Sequence, residues 1–95
     1  MATGTHARRF YVSGRVQGVG FRYFAEDVAS RLGIAGYVRN LPDGRVEVYA
    51  TGTPEQLASL ATELGRGPRM AWVERVEELE AELQADRGDF FTIEH

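Results

Sequence analysis

Gly14-Arg15-Val16-Gln17-Gly18-Val19-Gly20-Phe21-Arg22 follows an alternating run, Arg9-Phe10-Tyr11-Val12-Ser13, and leads straight into a segment of helical period. Its three glycines therefore mark a strand–loop–helix junction. Glycine reaches positive φ and leaves no Cβ in the way of a ligand, so successive N–H groups can converge on one point. The helix that follows aims its positive dipole end at the same point. Arg22 adds a planar fork of donors matched to phosphate oxygens. The pattern describes a site for a small oxyanion. A glycine-rich turn alone is equally a change of chain direction, and by position alone Arg22 is more simply a solvated helix arginine.

Working outward, Phe10, Val12 and Gly14 alternate with Arg9, Tyr11 and Ser13, which predicts a first strand. Phe21, Phe24, Ala25, Val28, Ala29 and Leu32 form one apolar stripe closed by Gly33, which predicts a first helix. A second strand from Ala35 to Leu41 meets the turn signal Leu41-Pro42-Asp43-Gly44. Beyond it, Val46, Val48 and Ala50 alternate with Arg45, Glu47 and Tyr49, so strands two and three form a hairpin. Asn40 sits just before the turn, where a turn-capping amide is the simplest reading. Thr53-Pro54-Glu55-Gln56 combines an N-cap, a proline at the first helical position and a Gln three residues after the cap. The stripe Leu57, Leu60, Ala61 and Leu64 then carries a second helix to Gly65.

Arg66-Gly67-Pro68-Arg69 is a connecting turn. Residues 71–77 read as a fourth strand in which Trp72, Val73 and Val76 do not alternate cleanly, as a bulge or an edge position would produce. Glu74, Glu77, Glu78, Glu80 and Glu82 form a solvated acidic rim. Residues 84–88 read as a mobile loop, and Phe90-Phe91-Thr92-Ile93 as a last short strand. The order β-α-β-β-α-β plus a short terminal strand is the split βαβ plan. It predicts an α+β, ferredoxin-like fold, an antiparallel sheet with two helices on one face.

Composition narrows the function. Ninety-five residues make one domain, expected over 8–95 behind a short flexible leader at 1–7. No run approaches the roughly 18 apolar residues of a membrane span, and the opening residues do not form a signal peptide, so a cytoplasmic location is expected. With no cysteine there is no disulfide, no thiolate metal site and no cysteine nucleophile. Neither His6 nor His95 lies in a motif, no Ser/His/acid set is recognisable, and the carboxylates have no His or Cys beside them to suggest a metal. Residues 1–50 hold seven Arg against four acids and 51–95 hold four Arg against ten, which places anion handling in the first half despite a net charge of −3. Small size and an acidic surface predict a monomer.

Gly14 through Arg22 resembles the first signature of the acylphosphatase family. Gly36-Tyr37-Val38-Arg39-Asn40-Leu41-Pro42-Asp43-Gly44-Arg45-Val46-Glu47-Val48 resembles its second, and the resemblance covers nearly the whole chain. It implies the ferredoxin-like fold and hydrolysis of acyl phosphates to a carboxylate and inorganic phosphate, with phosphate as product and competitor and with no metal or cofactor. The N–H groups of Arg15, Val16, Gln17, Gly18, Val19 and Gly20 would cradle the phosphoryl group, Arg22 would bind its oxygens, and Asn40 would hold the attacking water. Gly20 occupies a place where family members vary. The rival reading is a non-catalytic anion-binding or regulatory module of the same fold. A third, an RNA-binding sheet, is disfavoured because Gly44-Arg45-Val46-Glu47-Val48-Tyr49 does not fit the aromatic signature of RNA-recognition domains, and because the net charge is acidic.

Overall fold

The computed structural model describes residues 5–84 and 88–95. Its elements are β1 (His6–Arg15), α1 (Phe21–Leu32), β2 (Ala35–Asn40), β3 (Val46–Gly52), α2 (Pro54–Arg66), β4 (Trp72–Ala81) and β5 (Phe91–Glu94). The order is the one the periodicities predict. The expected leader 1–7 is too long, because His6 and Ala7 already belong to β1 and pair with Gly52 and Thr51. Ala7 is buried in a small cluster with Tyr37 and Tyr49. The first four residues of that leader, and residues 85–87 of the expected mobile loop, lie outside the described residues.

The sheet has the order β4-β1-β3-β2-β5. Its first four strands pair antiparallel, but β5 lies parallel to β2, with Gly36 opposite Phe91 and Val38 opposite Ile93. The sheet is therefore mixed rather than antiparallel. The reason is directional: β4 runs opposite to β1 and β2 and leaves the sheet where β2 begins, so a strand added at the edge of β2 starts there and runs the same way. All of the chain ends that matter below, those of β1, β2 and β5, consequently face one end of the sheet.

The helices obey their end signals. Gly33 closes α1 in the left-handed conformation, its N–H reaching the carbonyls of Ala29 and Ser30. Thr53 and Gln56 form the reciprocal capping box of α2, with Gln56 N to Thr53 Oγ1 at 3.2 Å and Thr53 N to Gln56 Oε1 at 2.8 Å. α2 does not stop at Gly65 as expected. It continues to Arg66 and is capped by Gly67, whose N–H bonds Glu63 O at 2.9 Å; an interior glycine costs a helix about 1 kcal/mol, which the buried Leu64 beside it offsets.

β4 is longer than expected, reaching Ala81 through the glutamate run, because charged side chains suit an edge strand. The irregular spacing of Trp72, Val73 and Val76 has its cause in a bulge: Ser13 faces Arg75 but Gly14 faces Val73, leaving Glu74 as the extra residue.

Phe10, Val12, Val38, Val46, Val48 and Ala50 point from the sheet toward the helices. They close a core with Phe21, Ala25, Val28 and Ala29 of α1 and Leu57, Leu60 and Leu64 of α2. The opposite face is held by charge. Glu47 in β3 is 4% exposed and lies between Arg9 of β1, at 3.0 Å, and Arg39 of β2. Hydrogen bonding to Glu47 is the main reason the Arg39 guanidinium holds its proton more tightly than usual. Tyr37 and Tyr49 stack 5.5 Å apart beneath Arg39 and Arg9.

Replacing Glu47 with Ala leaves two guanidiniums facing each other across the middle strand. The expected loss is about 2 kcal/mol, below the roughly 3–5 kcal/mol of a fully buried pair because the Arg39 side chain is 46% exposed. An unchanged urea midpoint would contradict this. Thr53→Ala removes one member of the capping box and is expected to cost about 1 kcal/mol, read from the thermal midpoint, without affecting anion binding at the far end of the sheet.

Candidate functional site

Two forces shape the loop between β1 and α1. Val16 is 1% exposed and Val19 packs against the core, so these side chains anchor the loop from below. Gly18 and Gly20, with φ of 75° and 80°, turn the backbone between them and have no atom within 4 Å of where a Cβ would stand. The left-handed backbone, not crowding, is what calls for glycine here. Gly20 is also the N-cap of α1. Among the described residues no side chain caps this helix end, and its first turn holds no acidic residue, which leaves the dipole end open to an incoming anion.

The loop is tied across the sheet end by Gln17, whose Nε2 donates to Leu41 O at 2.8 Å and to Arg45 O at 2.9 Å. Both acceptors belong to the β2–β3 turn. Asp43 stiffens that turn, accepting from the backbone N–H of Arg45 at 3.0 Å and from its Nε at 2.9 Å. The Arg45 backbone N–H is also the chief reason the Asp43 carboxyl is held below the usual carboxylate range. Sequence reasoning placed Gln17 in the cradle through its N–H. It missed the side chain's role, because nothing in the local pattern names carbonyls 24 and 28 positions away.

With loop and turn locked together, Val16, Gly18, Gly20, Phe21, Arg22, Tyr23 and Asn40 line one cavity of about 80 Å³. A liquid water occupies roughly 30 Å³, so this is room for one small oxyanion and little more. The predicted residues Arg22 and Asn40 thus meet at the loop, although they lie on different elements. Arg15 ends β1 and lines a different groove rather than this cavity.

Asn40 is the informative member. Its Oδ1 is buried and, among the described residues, has no hydrogen-bond partner. Leaving such an acceptor unsatisfied costs about 1–3 kcal/mol, so the position calls for a donor from outside the chain. A turn-capping role, the simplest reading of the sequence, would have occupied that oxygen.

Arg22 Nη1 lies 3.2 Å from Nδ1 of His95. A guanidinium has no lone pair to offer, so in this contact Nδ1 is the acceptor. His95 follows β5, and the parallel course of that strand is what delivers it to the same sheet end as Asn40. No motif announces it, since the two residues are 73 positions apart.

The acylphosphatase family model matches residues 8–93. An acylphosphatase of Solibacter usitatus is 58% identical over 79 residues, covering 83% of this chain and 82% of that one. One of Archaeoglobus fulgidus is 53% identical over 78 residues, covering 82% and 88%. Among solved structures, the acylphosphatase from Bacillus subtilis superposes with a TM-score of 0.89 at 35% identity, over 97% of this chain and 100% of that chain. The HypF protein of T. kodakarensis superposes at 0.83 and 32% identity, over 95% of this chain but 12% of that far longer one.

Gln17→Ala removes both ties between loop and turn. Leu41 O keeps its bond from Gly44 N and Arg45 O keeps its bond from Leu41 N, so the expected cost is about 1–2 kcal/mol rather than that of orphaned carbonyls. Phosphate affinity should fall about fivefold as the loop loses its fixed geometry; unchanged affinity in a calorimetric titration would show that the loop holds its shape without Gln17.

Proposed function

The chain belongs to the acylphosphatase family, and on that premise we propose that it hydrolyses the carboxyl–phosphate bond of small-molecule acyl phosphates by in-line attack of water, with residues 6–95, from the start of β1, as the catalytic domain. The N–H groups of Arg15, Val16, Gln17, Gly18, Val19 and Gly20 cradle the phosphoryl oxygens. Arg22 neutralises charge on them, and His95 steadies one arm of its guanidinium. Asn40 Oδ1 accepts a hydrogen from the attacking water and aims its oxygen at phosphorus. The new P–O bond forms as the bond to the carboxylate oxygen breaks, and the water's proton passes to the phosphate itself.

The observation that carries this reading is the buried, partnerless Asn40 Oδ1 lining the same small cavity as the glycine loop and Arg22. The chemistry asks for little more. The leaving group is a stable carboxylate, so no strong general acid is needed, and catalysis reduces to charge neutralisation and placement of one water. Neither a metal nor a cofactor is part of the scheme. Inorganic phosphate, the product, competes for the cradle. A cytoplasmic monomer fits the reading: among the described residues no helix is long and apolar enough to cross a membrane, and the net charge is −3.

A non-catalytic module of the same fold is the second reading, favoured by the match to a small part of HypF. It predicts saturable phosphate binding without turnover. A base-stacking role for the open face finds Tyr37 and Tyr49 buried beneath their own arginines, so they offer no free ring to a nucleotide.

Arg22→Ala and Asn40→Ala are each expected to lower release of phosphate from benzoyl phosphate by at least about 100-fold, the scale for losing a transition-state donor or water-positioning group. Both variants should keep the wild-type circular dichroism spectrum. Near-normal hydrolysis by either folded variant would overturn its role, and wild-type binding of phosphate with no hydrolysis would favour the module.

A further inference from the structure

Next to the phosphate cavity the chain builds a wider groove of about 610 Å³, lined by Arg15, Arg69, Met70, Ala71, Trp72 and Glu74. Arg15, which lines the groove and pairs with Trp72 across β1 and β4, is followed directly in the chain by Val16, which lines the phosphate cavity.

Trp72 and Met70, which line the groove, are 70% and 72% exposed, two large apolar side chains left in water. Exposed apolar area grouped at such a place marks a ligand surface more often than a stray residue does. Arg8, Arg9, Arg31, Arg39, Arg45 and Arg66 are all in ion pairs, whereas among the described residues Arg15 and Arg69, like Arg22 and Arg75, are in none. Glu74 is the one carboxylate in the lining, so two guanidiniums leave the groove positive on a chain that is acidic as a whole.

Resting on the reading of the adjoining cavity as the phosphoryl site, we infer that this groove binds the acyl part of the substrate and favours acyl groups that carry a second anionic group. The acyl carbon chain lies along Trp72 and Met70, while Arg69 and the Arg15 side chain take the distal carboxylate or phosphate. Guanidinium and carboxylate match as planar forks, and the indole face adds sequence-tolerant contact with either carbon or guanidinium. Glu74, the extra residue of the bulge, sets a limit by repelling anions placed on its side of the groove.

The test compares three substrates on one protein: acetyl phosphate, which is too short to reach the groove, butyryl phosphate, which fills it with carbon alone, and succinyl phosphate, which has the same chain length and ends in a carboxylate. Wild type should prefer succinyl over butyryl phosphate in kcat/KM by about tenfold, the worth of one charge-assisted contact at a partly exposed site. Arg69→Gln should abolish that preference and leave acetyl phosphate hydrolysis unchanged. Trp72→Ala should lower kcat/KM for succinyl and butyryl phosphate alike relative to acetyl phosphate. Each readout is a ratio within one preparation, so a reduced folded fraction cannot imitate it. Equal rates for succinyl and butyryl phosphate in wild type, or a preference that survives Arg69→Gln, would overturn the groove's assignment while leaving hydrolysis intact. Failure of wild type to hydrolyse any of the three would instead overturn the hydrolase reading, and this one with it.

Discussion

One carboxamide holds the working end of this molecule together. Gln17 gives both hydrogens of its side-chain nitrogen to carbonyls of the β2–β3 turn, at Leu41 and Arg45, and thereby sets the distance between the glycine loop and Asn40. The loop follows β1 and the turn leads into β3, which pairs with β1, so sheet pairing brings the two to one end and the Gln17 bonds fix the loop upon the turn. Everything else at the site is arranged around that tie. Val16 and Val19 root the loop in the core, Asp43 stiffens the turn, and the parallel β5 brings His95 up to Arg22.

Beneath the site, two different kinds of cohesion hold the sheet. Toward the helices it is apolar, with Phe10, Val12, Val38 and Val48 closed over by α1 and α2. On the open face Glu47 collects arginines from the strands on either side. That clamp joins β1, β3 and β2 next to Asn40, the last residue of β2, so the strand that presents this buried, partnerless amide oxygen is braced on both of its faces. Rigidity there matters because a site built from N–H groups and one amide has no reactive side chain to spare; its power lies in donors and acceptors already in place when charge develops.

Local chemistry was legible in the sequence wherever it depends on near neighbours. The capping box at Thr53 and Gln56, the Gly33 cap, the Pro42-Asp43-Gly44 turn and the irregular spacing that betrays the β4 bulge all involve residues within a few positions of one another. Arg22 and Asn40 came into view through family signatures, and the cavity they share gives that pairing a geometric basis. What escaped depends on contacts across the chain. The parallel docking of β5 follows from which end of the sheet β4 leaves, the His95–Arg22 contact follows from that docking, and Gln17's side-chain bonds need the turn already in position. Ala7 was misplaced for a similar reason: a small residue near a terminus reads as leader until two tyrosines from other strands cluster with it.

The central claim is that backbone N–H groups of a glycine loop, one guanidinium and one carboxamide form a single phosphate site. Its most direct test is a titration of ¹⁵N-labelled protein with inorganic phosphate, followed residue by residue in amide spectra. The account predicts that the largest shifts fall on the N–H groups of residues 15–20 and on the side-chain amide of Asn40, and that all of them saturate with one common Kd. Largest shifts elsewhere, with the loop amides and Asn40 unmoved, would contradict it.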